Sequence, residues 1–257
     1  MSKRLRMPGE FCWINILTSE PAKAQQFYSK LLGWSFPEMP GMGHLIEVDG
    51  SRIGGMFDVA SPQTPPGTKP VLGVMVCVAD AAATGARINT LGGKAQPPMQ
   101  IGPNGTMVVG HDPSGANFDL WQRGSDAGTP IDGDAHGAFS WFEVLSLDSK
   151  RDRRFYTDLF GWDIETMPMP DGSEYVMFVK GELRLAGMMA RTKEMEMVPP
   201  WWAVYFTVRD VDAAAKQALE LGATLFVPVL PIKGVGRFCG IVSPQGIHFY
   251  VIQYERA

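Results

Sequence analysis

The chain repeats itself at long range, and that period decides what it can fold into. Trp13, the Phe27-Tyr28 pair and the Gly33-Trp34 pair return as Trp141, Phe155-Tyr156 and Gly161-Trp162, each 128 positions later (141 − 13, 155 − 27 and 161 − 33). Looser echoes follow: Val78-Ala79-Asp80 with Val208-Arg209-Asp210, Leu91-Gly92 with Leu221-Gly222, and Pro113-Ser114-Gly115 with Pro244-Gln245-Gly246. Solenoid repeats recur every 20–50 residues or so, so this spacing marks a duplicated module. A duplicated module tends to pair with its copy, and pairing makes clefts. The functional question is which chemistry each copy has kept.

At 257 residues the chain has room for one large domain or two of about 120 residues. Its 45% apolar and 19% charged residues describe an ordinary soluble globular protein. A net charge of −4, with Lys and Arg scattered, argues against a nucleic-acid partner. Residues 1–10 are basic but lead into no apolar run, and no segment approaches the roughly 18 apolar residues of a membrane span. Neither a secretory signal nor a membrane partner is therefore expected. Cys12, Cys77 and Cys239 are odd in number and contain no C-x-x-C, which suits buried thiols in a reducing compartment; a cytoplasmic location is expected.

Each copy opens with a strand-like run, Phe11 to Leu17 and Phe139 to Leu145. A helix-start signal follows: Thr18-Ser19-Glu20 before Pro21 in the first copy, and Asp148 as N-cap in the second. Apolar residues then recur at three-to-four spacing (Ala24, Phe27, Leu31; Phe155, Leu159, Phe160) until Gly33 and Gly161 stop the helices. Hairpin signals come next at Asp49-Gly50, Gly54-Gly55 and Asp171-Gly172. The strands Val71 to Val78 and Ala203 to Val208 restart the plan through Asp80 and Asp210, so the order βαβββ occurs four times. Residues 124–136, rich in Gly, Ser and Asp, read as a linker between a first module at 9–123 and a second at 137–254. Twelve extended residues reach on the order of 40 Å, enough for the modules to pair within one chain.

These motifs resemble the vicinal oxygen chelate superfamily, which includes glyoxalase I, bleomycin-resistance proteins and extradiol dioxygenases. The resemblance rests on Glu20-Pro21, Phe27-Tyr28, Gly33-Trp34, Val78 with Asp80, and Asp112-Pro113-Ser114-Gly115 with Leu120, together with their second-copy partners. It implies an α+β fold of tandem βαβββ repeats, the glyoxalase-like fold, with curled mixed sheets around clefts. It also implies a divalent metal on the concave face, held from the first strand, the strand opening the second half and the last strand. Those positions fall on Trp13 and Trp141, on Gly73 and Ala203, and on Asp119 and Tyr250. Only Asp119 is a hard donor, whereas such a site needs several converging ligands. No metal and no cofactor are therefore expected.

Strand alternation gives a reading that does not depend on the family. One face of the strands carries Ile14, Ile16, Phe142, Val144, Phe206 and Phe249, and must pack under helices. The opposite face carries Trp13, Asn15, Asn117, Asp119, Trp141, Glu143, Tyr205, His248 and Tyr250. Aromatic walls with a few polar groups suit a small-molecule pocket, although the same rings can also fill the cleft as a plug. Trp13, Asn15, Trp141, Tyr205, Tyr250 and Arg237 are candidate ligand contacts, Arg237 because its planar donors suit a carboxylate or phosphate. Cys12 and Cys77 have no evident base nearby in sequence, which argues against nucleophilic use.

The expected function is a metal-independent protein that holds a small, partly aromatic metabolite between the copies. A lyase or isomerase resembling glyoxalase I, with Glu143, Asp119 or His248 moving protons, is the alternative. A structural role with a filled cleft is the third. Pairing inside the chain removes the need for a homodimer and leaves one open.

Overall fold

Both halves fold alike because the same local signals act twice. The computed structural model describes residues 5–62, 64, 67–125, 133–169, 172–195 and 197–255. Residues 1–4 of the basic start, most of the expected linker (126–132) and Asp171 of one hairpin signal lie outside the described residues. The first half runs β1 (Phe11–Thr18), α1 (Pro21–Leu32), β2 (Glu38–Met39), β3 (Gly43–Val48), β4 (Ser51–Asp58), β5 (Val71–Val78), α2 (Ala81–Thr90), β6 (Lys94–Ala95), β7 (Met99–Ile101), β8 (Gly105–His111) and β9 (Asn117–Arg123). The second runs β10 (Phe139–Ser146), α3 (Ser149–Phe160), β11 (Asp163–Pro168), β12 (Glu174–Lys180), β13 (Leu183–Ala190), β14 (Trp202–Thr207), α4 (Val211–Glu220), β15 (Thr224–Ile232), β16 (Gly236–Val242) and β17 (His248–Tyr254). No helix among the described residues is long and apolar enough to cross a membrane.

The helix signals act where the sequence puts them. Asp148, Asp80 and Asp210 accept the backbone N–H groups of Arg151 (3.1 Å), Ala83 (2.9 Å) and Ala213 (3.0 Å), quenching amides that the first turn leaves unpaired. Helix α1 differs. Glu20 occupies its N-cap without a side-chain cap bond, and Pro21 supplies the start instead. Gly33 and Gly161 end α1 and α3 in the left-handed conformation.

The strands form two mixed sheets, ordered β2-β3-β4-β1-β5-β9-β8-β6, with β7 also on β8, and β11-β12-β13-β10-β14-β17-β16-β15. In each sheet the first strand lies at the centre. Strand β1 is parallel to β4 and antiparallel to β5; β10 is likewise parallel to β13 and antiparallel to β14. Both first strands carry a bulge at the same place, between Phe11 and Trp13 and between Phe139 and Trp141. This is the α+β, curled-sheet architecture that the repeat and the resemblance imply.

The sheets share one core. Phe11 of β1 stacks on Phe142 of β10 with ring centroids 4.0 Å apart. Helix α1 packs across to the second sheet, with Tyr28 5.7 Å from Phe249, while α3 packs back, with Tyr156 5.8 Å from Phe118. Two indoles complete the exchange: Trp34 donates to the Gly137 carbonyl and Trp162 to the Gly9 carbonyl, each at 2.8 Å. Tyr156 also donates to Asp112 Oδ2 across the halves (2.9 Å) and accepts from Trp202 Nε1 (2.9 Å). The space between the copies is thus packed side chain. A ligand held there, as the sequence reading had it, would have to replace core. The concave faces point outward instead.

Gly137 is held at φ 82°, and a Cβ there would come within 2.1 Å of the Leu32 carbonyl oxygen. Gly137→Ala is therefore expected to cost about 2 kcal/mol or more, read as a lower denaturant midpoint at unchanged slope. A midpoint equal to that of the parent chain would show that the junction is not tight.

Candidate functional site

The concave face of the second sheet is built around Glu143. Strand β10 turns Trp141 and Glu143 to this side, opposite Phe142 and Val144. Tyr175, from β12, donates to Glu143 Oε2 at 2.7 Å, and Tyr205, from β14, donates to Oε1 at 3.2 Å. Trp141 Nε1 donates in turn to the Tyr175 hydroxyl at 3.0 Å. Gly187 pairs with Glu143 across β13, and a Cβ at Gly187 would meet the Tyr175 hydroxyl at 1.8 Å; the missing side chain is what lets Tyr175 reach the carboxyl. Desolvation pushes the Glu143 carboxyl above its ordinary range, and the two phenol donors partly offset that. Burial, and after it the neighbouring Glu143 carboxyl, raises the Tyr175 and Tyr205 phenols so that they stay protonated.

Beside this network runs a ladder of rings. Tyr205 and Tyr250 are register partners on β14 and β17, stacked at 4.5 Å with planes 8° apart. Trp201 also stacks on Tyr250 at 6.2 Å, Phe226 meets it edge-on at 5.1 Å, and Phe238 lies 5.8 Å away. Phe226 crosses over Gly240, where a Cβ would come within 2.7 Å of its ring, and is itself 39% exposed at the rim. His248 is exposed at the edge of the ladder, 5.2 Å from Phe226 and 6.1 Å from Trp201.

The concave face of the first sheet is different. Trp13 Nε1 donates to Asn15 Oδ1 at 3.1 Å, and the side-chain amides of Asn15 and Asn117 lie beside Asp119. Asn117 also donates to the Gly110 carbonyl at 3.1 Å. Asp119 is 8% exposed, and its Oδ1 has no hydrogen-bond partner. Burial raises its carboxyl to about 7, against the pull of the two amides.

Of the residues singled out from sequence, Trp141, Glu143, Tyr205 and Tyr250 come together on one face, with His248 at its edge. Trp13, Asn15 and Asp119 come together on the other. Arg237 joins neither, because strand alternation turns it to the helix side of β16, where it forms an exposed ion pair with Asp212 of α4. Sequence reasoning missed Tyr175, Trp201, Phe226 and Phe238. The period-two pattern of β12 alone would have put Tyr175 on the concave side, since Val176 and Phe178 are core.

No family model matches the chain. It is 28% identical over 247 residues to CFP32, a proposed glyoxylase of Mycobacterium bovis, covering 94% of this chain and 93% of that one. It is 29% identical over 269 residues to the anthracycline biosynthesis protein DauV of a Streptomyces species, covering 97% and 95%. Among solved structures it matches a Mn(II)-bound glyoxalase of Novosphingobium aromaticivorans at TM-score 0.67 and 14% identity, over 98% of this chain and 83% of that one. A homoprotocatechuate 2,3-dioxygenase of Brevibacterium fuscum, complexed with 3,4-dihydroxyphenylacetate, matches at TM-score 0.64 and 12% identity, over 99% and 82%.

The comparisons correct the cofactor reading. No cofactor was expected, yet the solved structures with this fold include one that holds Mn(II), so the fold points to a divalent metal. The side chains at the expected ligand positions do not fit such an ion. No three His, Cys, Asp or Glu converge among the described residues, and the groups beside Asp119 are the neutral amides of Asn15 and Asn117. A hard cation there would find one carboxylate and no second anion.

The pH dependence of the first face follows from Asp119. Its folded-state value of about 7 lies above the ordinary 3.8, so the folded chain binds the proton more tightly than the unfolded one. That contribution is complete below roughly pH 4 and is lost as pH rises through about 7. Asp119→Asn, with no charge to bury, is expected to melt higher than the parent at pH 8 and level with it near pH 4. A lower melting temperature for the variant at pH 8 would show that the ionised carboxylate has a stabilising partner.

Proposed function

We propose that the chain is a two-module member of the vicinal oxygen chelate superfamily and that it binds a small, flat aromatic molecule on the concave face of its second sheet. The observation that carries this reading is the ring ladder Tyr205–Tyr250–Trp201 standing beside a carboxyl held by two phenols. A planar ligand gains from each ring it stacks on, about 0.5–1.5 kcal/mol beyond the area it buries. Glu143, Tyr175 and the Trp141 indole offer it an acceptor and donors in one place. Two relatives carry names from anthracycline biosynthesis, and anthracyclines are flat polycyclic aromatics with hydroxyl and keto edges. The rings now stack on one another, so a ligand enters by taking the place of a ring, with half-exposed Phe226 nearest the rim.

Glu143 supports a second reading, proton transfer of the lyase or isomerase kind. Its raised carboxyl is poised to exchange a proton nearer neutral pH than an ordinary glutamate would, and Tyr175 is placed to steady the charge that results. In that role Glu143 takes a proton from carbon next to a carbonyl and returns it to the neighbouring atom.

Titrating the protein with an anthracycline or a dihydroxyanthraquinone should quench tryptophan fluorescence saturably, with a Kd of roughly micromolar order. Tyr250→Ala should weaken that binding by about tenfold, the equivalent of one stacked ring. Glu143→Gln should bind within a few-fold of the parent yet abolish any isomerisation of a 2-oxoaldehyde adduct. Quenching that never saturates, or that ignores Tyr250→Ala, would overturn the binding reading; turnover surviving in Glu143→Gln would overturn the catalytic one.

A further inference from the structure

The first sheet carries a cluster of sulfur atoms that its copy lacks. The bulge between Phe11 and Trp13 inserts Cys12 as an extra residue opposite the Val76–Met75 step of β5. Phe11 stays in the shared core while Cys12 turns to the concave side. There it joins Cys77 and Met75 of β5 in one buried cluster, with Cys12 5% exposed, Cys77 3% and Met75 4%. The two thiols share this buried cluster, and Cys12 Sγ donates to the Met75 carbonyl at 3.7 Å. Partly buried Trp13, Trp121 and Met107 pack against the cluster.

The second sheet shows the same backbone with oxygen in place of sulfur. Ser140 is its bulge residue, and its hydroxyl donates to the Tyr205 carbonyl at 3.4 Å, as Cys12 does to Met75. Thr207 stands where Cys77 does: its amide pairs with Ala138, as that of Cys77 pairs with Glu10, and Gly137 and Gly9 donate to the two carbonyls. Hydroxyls therefore satisfy this corner of the fold, and packing alone does not call for thiols.

We propose that Cys12 and Cys77, assisted by the thioether of Met75, form a binding site for a soft monovalent metal ion, Cu(I), on the concave face of the first sheet. Thiolate and thioether sulfur select soft ions over Mn(II), Zn(II) or Mg(II). The charges around the site agree. Two thiolates bring −2, Cu(I) brings +1, and the Arg123 guanidinium, which acts electrostatically on both cysteines, brings +1. Arg6 also acts on Cys12 and Glu10 on Cys77, and these two pair with each other at 4.0 Å. The liganded site is neutral, which a buried position needs. Binding is not a redox step: each thiol gives up its proton as its sulfur bonds copper, so one Cu(I) enters and two protons leave. Trp13, Trp121 and Met107 limit access of water and dioxygen to the bound ion. The site lies on the other sheet from the aromatic ladder and does not depend on what binds there.

The experiment is an anaerobic Cu(I) titration of the full, reduced chain in competition with a chromogenic Cu(I) chelator. The parent should withhold one Cu(I) per chain and develop a near-ultraviolet thiolate-to-copper band. Cys12→Ser and Cys77→Thr, which import the residues of the second copy, should fold with the parent's circular dichroism and release the copper to the chelator. Met75→Leu should weaken binding by about tenfold, and Cys239→Ser, buried in the main core, should leave it unchanged. Copper retained in the folded Cys12→Ser/Cys77→Thr double variant would overturn the proposal. So would a parent chain that surrenders all its Cu(I) to the chelator, or one that holds Zn(II) or Mn(II) more tightly than Cu(I).

Discussion

Two tryptophans hold the molecule in its shape. Trp34 reaches out of the first half to the Gly137 carbonyl, and Trp162 reaches back to Gly9. Each bond contributes about 1 kcal/mol by itself. Its larger effect is geometric, because an indole N–H buried in an apolar core must find an acceptor or forfeit its solvation. The acceptors are carbonyls of glycines with φ near +85°, Gly9 at 88° and Gly137 at 82°, each just ahead of the central strand of its own sheet. Each clasp thereby fixes where that strand enters. Phe11 on Phe142, Tyr28 against Phe249 and Tyr156 against Phe118 then close one core from both halves. With the helix-covered faces joined, the concave faces have to look outward.

Freed of that structural duty, the concave faces have diverged. Asn15 of one copy stands where Glu143 stands in the other, and Asp119 where Tyr250 does; the Cys12–Cys77 pair answers to Ser140 and Thr207. One face is organised by phenols and stacked rings around a carboxyl, the other by amides around a carboxyl and by sulfur. The fold is the same in both, but among the described residues neither holds a converging set of three metal-binding side chains. What the two faces offer chemically is therefore read from the residues that differ between the copies.

Much of this was legible from the residues in order. The repeat, the helix caps at Asp80, Asp148 and Asp210, the glycine stops and the split between core and concave positions all depend on nearest neighbours along the chain. What could not be read needs a third dimension. Tyr175 lies 32 positions from Glu143 and meets it only because β13 presents glycine between them. Arg237 was read as a candidate ligand contact, but an acid 25 positions away on α4 pairs with it on the other side of its strand. Cys12 follows Phe11 into strict alternation on paper, but a bulge that no local signal marks turns it to the face shared by Cys77. The cofactor reading failed differently: missing ligands were taken as a missing metal, whereas a solved structure of the same fold holds Mn(II).

The crossed packing of α1 and α3 also sets the order in which the chain can be made. While the first half emerges during synthesis, α1 has no second sheet to lie against, and Phe11 and Trp34 have neither Phe142 nor Gly137. The contacts that bury them arrive more than a hundred residues later, with loop-closure entropy already spent. The first half must wait, partly unburied, for its copy. An independent half-chain would be left in the same state for good, unless it met a second half-chain and made the same exchange with it.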